Sequence, residues 1–165
     1  MTALSFQSEA PPSNPLETVE SILLARDWPI ERTDDEMITC AAGGWCDYNI
    51  CFSWREDVPA LHFSCAFDVR VPANKRSEIY ELMAKVNEHM LLGHFDLVSA
   101  EGAIVYRHGL PLAGMTANPQ LFEDLLDIAV EACERFFPAF QFVLWAGKSA
   151  DDALAAAMLE TMGEA

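Results

Sequence analysis

The sequence predicts an α+β fold of two layers, a five-stranded antiparallel sheet with helices packed on one face, in the order α-βββ-α-ββ-α-α. Three observations carry this expectation. Apolar residues recur with period two from Met37 to Val71 and again from Phe95 to Arg107, as in strands wet on one side. They recur near period 3.6 in Leu16–Leu23, Ile79–Met90 and Phe122–Leu144, as in helices with one buried stripe. The two kinds of run come in a mixed order, not in strict alternation, which sends the helices to one side of an antiparallel sheet. The chain's 165 residues, 52% of them hydrophobic, are enough for one core. The expected organisation is a mobile tail at 1–13 and a single domain over 14–162.

The tail, MTALSFQSEAPPS, is mostly small or polar, and Pro11 and Pro12 exclude a helix. Asn14 then caps a helix with Pro15 at its first position; Leu16, Val19, Ile22 and Leu23 form its stripe, and it must end before Pro29. Met37–Ala42 reads as the first strand and Gly43-Gly44 as a hairpin turn. Cys46–Trp54 follows, with Cys46, Tyr48, Ile50, Phe52 and Trp54 on one face. In the third strand Leu61, Phe63, Cys65, Phe67 and Val69 face inward, while His62, Ser64, Asp68 and Arg70 face outward. A slip of one residue would expose the whole apolar set, so the register should be firm.

Asn74 is expected to open the second helix, Asn87–Leu92 to form its last turns, and Gly93 to cap it in the left-handed region. Phe95–Ser99 and Ala103–Arg107 read as a hairpin turning at Glu101-Gly102, and Leu110–Ala117 as a connector. Asn118-Pro119 starts the longest helix. Pro138 removes the bond to the Glu134 carbonyl, so a kink or break is expected near Phe137. Gly147 closes that helix, and Ser149, with Asp152 three residues on, starts a short Ala-rich one ending near Thr161.

A net charge of −16 repels nucleic acid and anionic membranes, so neither is an expected partner. Such a surface serves solubility, or draws a basic segment of a partner protein. The five cysteines show no CxxC pair and sit in apolar runs, as reduced, buried thiols do. Residues 1–14 lack the pattern of a secretory signal and no run is long enough for a membrane span. The expected location is the cytoplasm.

Catalytic patterns are missing from the sequence. His89 and His94 flank Gly93 near Asp96, but without the HExxH spacing that marks zinc sites. The acidic runs Asp34-Asp35-Glu36 and Glu123-Asp124 fall in a turn and a first helical turn. Gly43-Gly44 lies between two strands and lacks the helix terminus of a phosphate loop. No cysteine has a cationic sequence neighbour to activate it. The expectation is a non-enzyme with no cofactor and no metal. Of the four tryptophans, Trp45 and Trp54 are candidates for partner binding, with Phe95, Tyr106 and Arg107 of the hairpin.

The stretches NEHMLLGHFDL and GAIVYRHGL, through Asn87, Gly93, Phe95, Gly102, Tyr106 and Arg107, resemble the YbjN-like family of bacterial sensory transduction regulators. FFPAFQFVLWAG, with Phe137, Pro138, Val143 and Gly147, extends the resemblance, which runs from about Pro15 to Gly147. It implies a fold like that of the small acidic chaperones of type III secretion, usually homodimers that hold extended client segments. It implies no catalytic residues. The expected function is therefore that of a cytoplasmic regulator or chaperone-like adaptor acting by protein–protein interaction, as a homodimer. The alternative is a small-molecule sensor with a pocket between sheet and helices.

Overall fold

A computed structural model describes residues 13–163; the tail expected at 1–13 lies outside them but for Ser13. The elements are α1 (Leu16–Ala25), β1 (Ile30–Arg32), β2 (Glu36–Ala42), β3 (Asp47–Arg55), β4 (Ala60–Arg70), α2 (Arg76–Asn87), β5 (His94–Val98), β6 (Ala103–Pro111), α3 (Pro119–Leu144) and α4 (Ala150–Met162). The strands form one open sheet in the order β1-β2-β3-β4-β6-β5, every neighbouring pair antiparallel. It has six strands, not five. The added strand is β1, which pairs Ile30 with Thr39 and Arg32 with Met37 at the edge.

The three-stranded meander and the hairpin stand where the alternation puts them, within a residue or two. β6 is longer than expected, since the stretch read as a connector from Leu110 begins as strand opposite Ala60 and Leu61 of β4. Pro111 is tolerated because β5 pairs only with Ala103–Arg107. The alternation of bonding sides then turns the missing N–H toward a flank without a strand. Asn74 does not open α2; it lies in a short 3₁₀ turn, and the helix begins at Arg76. Three other side chains expected at helix starts accept from an N–H there. Asn14 Oδ1 accepts from the Leu16 N–H at 3.0 Å, Asn118 Oδ1 from the Gln120 N–H at 3.0 Å, and Ser149 Oγ from the Asp152 N–H at 3.2 Å.

α1, α2 and α3 cover one face of the sheet and α4 rests on α2 and α3. Between the layers the space is filled by rings. Phe67 lies 4.9 Å from Phe137 and 5.6 Å from Phe140, and Phe95 lies 5.5 Å from Phe140 and 5.8 Å from Tyr106, mostly tilted or edge to face. Such pairs add roughly 0.5–1.5 kcal/mol each beyond the area they bury.

α3 does not break at Pro138, which is buried inside an unbroken helical run. The carbonyl of Glu134, which a proline four residues on cannot satisfy, accepts instead from the Trp45 indole Nε1–H at 3.1 Å. A side chain from the β2–β3 turn thus supplies the bond the helix lacks, and the ladder has no orphan at that position.

Candidate functional site

α2 stops at Asn87, short of the expected end at Leu92, because the Asn87 amide turns onto the strand that follows. Its Oδ1 accepts from the Phe95 N–H at 2.8 Å and its Nδ2 donates to the Phe95 carbonyl at 3.1 Å. Gly93 takes the left-handed φ of +68° at the entry to β5, not as the cap of α2. A Cβ there would lie 2.3 Å from the Tyr106 ring. The Tyr106 hydroxyl donates to the Leu92 carbonyl at 3.1 Å, and burial pushes its pKa up to about 12, so it stays a donor.

The loop from 88 to 93 is thus tied at both ends, yet Leu91 at its crest is 94% exposed. Beside it opens a hollow of about 430 Å³, lined by His89, Met90 and Leu92 of the loop and by Ile128, Ala132 and Phe136 of α3, with Glu131 and Arg135 on its wall. The Arg135 guanidinium lies 5.2 Å over the Phe136 ring, so one charge of each sign borders an apolar floor. A large apolar side chain displayed on a fixed loop loses little freedom on contact, which favours binding.

A second constellation holds the β2–β3 turn to α3. Glu134 Oε1 accepts from the Gly44 N–H at 2.7 Å and from the Tyr48 hydroxyl at 2.8 Å. Burial and the neighbouring Glu134 carboxylate raise the Tyr48 pKa well above its usual value. The arrangement is an anchor: its donors and acceptor are used on one another.

None of the described helices packs on the outer face of the sheet. Across it runs a row of opposed residues, Ile38, Cys51, Ser64, Arg107 and His94, beside a second row of Glu36, Ser53, His62 and Gly109. Burial first, then the charges of Arg107 and His94, hold the His62 imidazole below its usual pKa. Burial likewise raises the Cys51 and Cys40 thiols, with Glu36 adding to the first and Asp47 and Asp68 to the second. In the core the Cys65 and Cys133 sulfurs stand 3.6 Å apart as free thiols.

The expected partner-binding residues form no shared exposed patch; Phe95 and Tyr106 do pack on each other, 5.8 Å apart, but in the core. Trp54, Phe95 and Tyr106 are core side chains, exposed by 4%, 2% and 0%. In this conformation they offer a partner nothing directly, although Phe95 and Tyr106 hold the Leu91 loop from beneath. Trp45 is 46% exposed and engaged with Glu134. Arg107 lies on the outer face, away from it. Leu91 and Leu92 were missed because Met90 continues the helical stripe and draws its neighbours into the same reading. The signal available was three successive apolar residues, of which a helix can bury only part. This apolar hollow lies between the loop and α3, not between sheet and helices. His89 borders the hollow and His94 the outer face, and among the described residues no group of three or more His, Cys, Asp and Glu side chains could hold a metal ion. No helix among them is long and apolar enough to cross a membrane.

A family model described as "Putative bacterial sensory transduction regulator" matches residues 15–142. No curated protein matches the chain.

Proposed function

The chain belongs to the YbjN family, and from that premise we propose that it is a cytoplasmic regulator that acts without catalysis, by binding another protein at the hollow beside Leu91. The observation that carries this reading is Leu91 itself, 94% exposed on a loop fixed by the Asn87–Phe95 and Tyr106–Leu92 bonds. The hollow of about 430 Å³ has room for one or two apolar side chains of a partner. With a net charge of −16, the surrounding surface favours a partner segment carrying basic residues near those apolar ones. A chaperone-like adaptor would use the site in the same manner. Self-association would rest on α4, where Leu159 and Met162 are exposed; light scattering that returns the monomer mass at every concentration would remove it.

Leu91→Asp tests the reading. Leu91 supports no packing, so the variant should unfold at the wild-type temperature. It should lose a partner that tagged wild type captures from native extract, with affinity falling roughly thirtyfold or more. Equal capture by both proteins, or no capture by wild type under several growth conditions, contradicts the proposal.

A further inference from the structure

The outer sheet face gathers hydrogen-bond donors that no described residue answers. Ser64 stands directly opposite Arg107 on one side, and His94 directly opposite it on the other. His62 is one row away, opposite Gly109. Directly opposed side chains start about 5 Å apart and diagonal ones about 7–8 Å, so the four polar heads share one patch. Three residues bordering them are small: Cys51 beside Ser64, Ala66 two residues along β4, and Gly109 opposite His62. A Cβ built on Gly109 meets nothing within 4 Å, which leaves an open recess between Arg107 and His62.

The acceptors near this patch are few. Asp96 Oδ2 is 3.3 Å from Arg107 Nε, but off the line of the N–H, and the buried Nε has no hydrogen-bond partner. The other Asp96 oxygen accepts from the Leu97 N–H at 2.8 Å. Among the described residues no protein acceptor takes a hydrogen bond from the Arg107 terminal nitrogens, from His62 or from His94. Arg107 thus meets an acid as Arg26 meets Asp127 and Lys85 meets Asp151, but only through Nε, which leaves the outer end of its guanidinium unanswered by any described residue.

We propose that the outer face of the sheet is a binding site for the carboxylate or phosphate group of a small molecule, centred on the Arg107 guanidinium. The guanidinium fork matches two oxygens of such a group, Ser64 Oγ and His94 can donate to a third contact, and the recess beside Gly109 admits the body of the ligand. The site uses no atom of the Leu91 hollow, so each proposal can fail without the other.

The test uses inorganic phosphate and succinate as probes, at constant ionic strength, followed by amide and imidazole resonances of the full chain. One or both probes should shift Ser64, His94, Arg107 and His62 saturably. A response to phosphate alone marks a phosphorylated ligand, and to succinate alone a carboxylate. R107Q should bind about ten- to hundredfold more weakly at an unchanged unfolding temperature. K85Q, on α2 in the helical layer behind the sheet, and L91D should bind as wild type does. If R107Q does not fold, the double variant S64A/H94Q should lose about tenfold. The proposal is overturned if neither probe shifts these residues, if the shifts spread evenly over charged residues, or if removing the donors leaves affinity unchanged.

Discussion

Trp45→Phe, made in the wild type and in a Pro138→Ala background, separates a helix repaired from outside from one that merely tolerates proline. In the wild type the indole N–H is the donor at the Glu134 carbonyl, 3.1 Å away. Removing it forfeits a hydrogen bond of about 0.5–1.5 kcal/mol and strands a carbonyl that water reaches only in part, for a total near 1–2 kcal/mol. In Pro138→Ala the residue at 138 has its own N–H to give that carbonyl, so Trp45→Phe should then cost only the lost ring contact. That contact is common to both backgrounds and cancels in the cycle. The expected coupling is about 1 kcal/mol, beyond the roughly 0.3–0.5 kcal/mol within which independent sites add. Urea unfolding of the four proteins measures it. Additive costs would refute the reasoning, and Trp45 would then be only a rim residue.

Asn87→Ala leaves both backbone groups of Phe95 without their partners and should destabilise by roughly 2–3 kcal/mol, lowering the unfolding temperature by about 4–12 °C; calorimetry reads this directly. Gly93→Ala combines a left-handed φ of +68° with a Cβ 2.3 Å from Tyr106; it should cost more than about 1 kcal/mol and speed amide exchange in the loop from 88 to 93. Glu134→Ala should destabilise by about 2–4 kcal/mol by orphaning the Gly44 N–H and Tyr48 hydroxyl, while Glu134→Gln keeps an acceptor and loses less than half of that. Burial holds the pKa values of His62 and His108 below their usual value, so the unfolded chain binds protons more readily. Their contribution to stability is full above about pH 6.5 and is lost as the pH falls through that value toward the lowered folded ones. His62→Asn with His108→Asn should flatten the decline in urea stability between about pH 7 and 5.

Long elements were readable from the chain because each repeats its signal many times. The alternation of β3 and β4 and the stripe of α3 each rest on four or more apolar positions. β1 could not be read, because Ile30–Arg32 is too short to show alternation and follows a proline. The far end of β6 looked like a turn because Gly109 and Pro111 are turn residues, and only the absence of a neighbour beyond Arg107 makes them acceptable in a strand. The end of α2 depends on the Phe95 backbone, eight residues on, and the continuity of α3 on an indole 89 residues away. Local patterns carry neither. The candidate surfaces were hidden for the same reason. Leu91 looked helical, and the Arg107 patch exists only once three strands are placed in register.

The free margin of β5 has a consequence for life at high concentration. Of its outward-pointing amides, Phe95's is held by Asn87 and Leu97's by the adjacent Asp96 carboxylate. A foreign strand arriving there finds no vacant donor to copy, and the opposite border, β1, is only three residues long. Molecules of this protein that meet rim to rim therefore have little to zip together, and crowding should leave them as separate particles instead of ribbons.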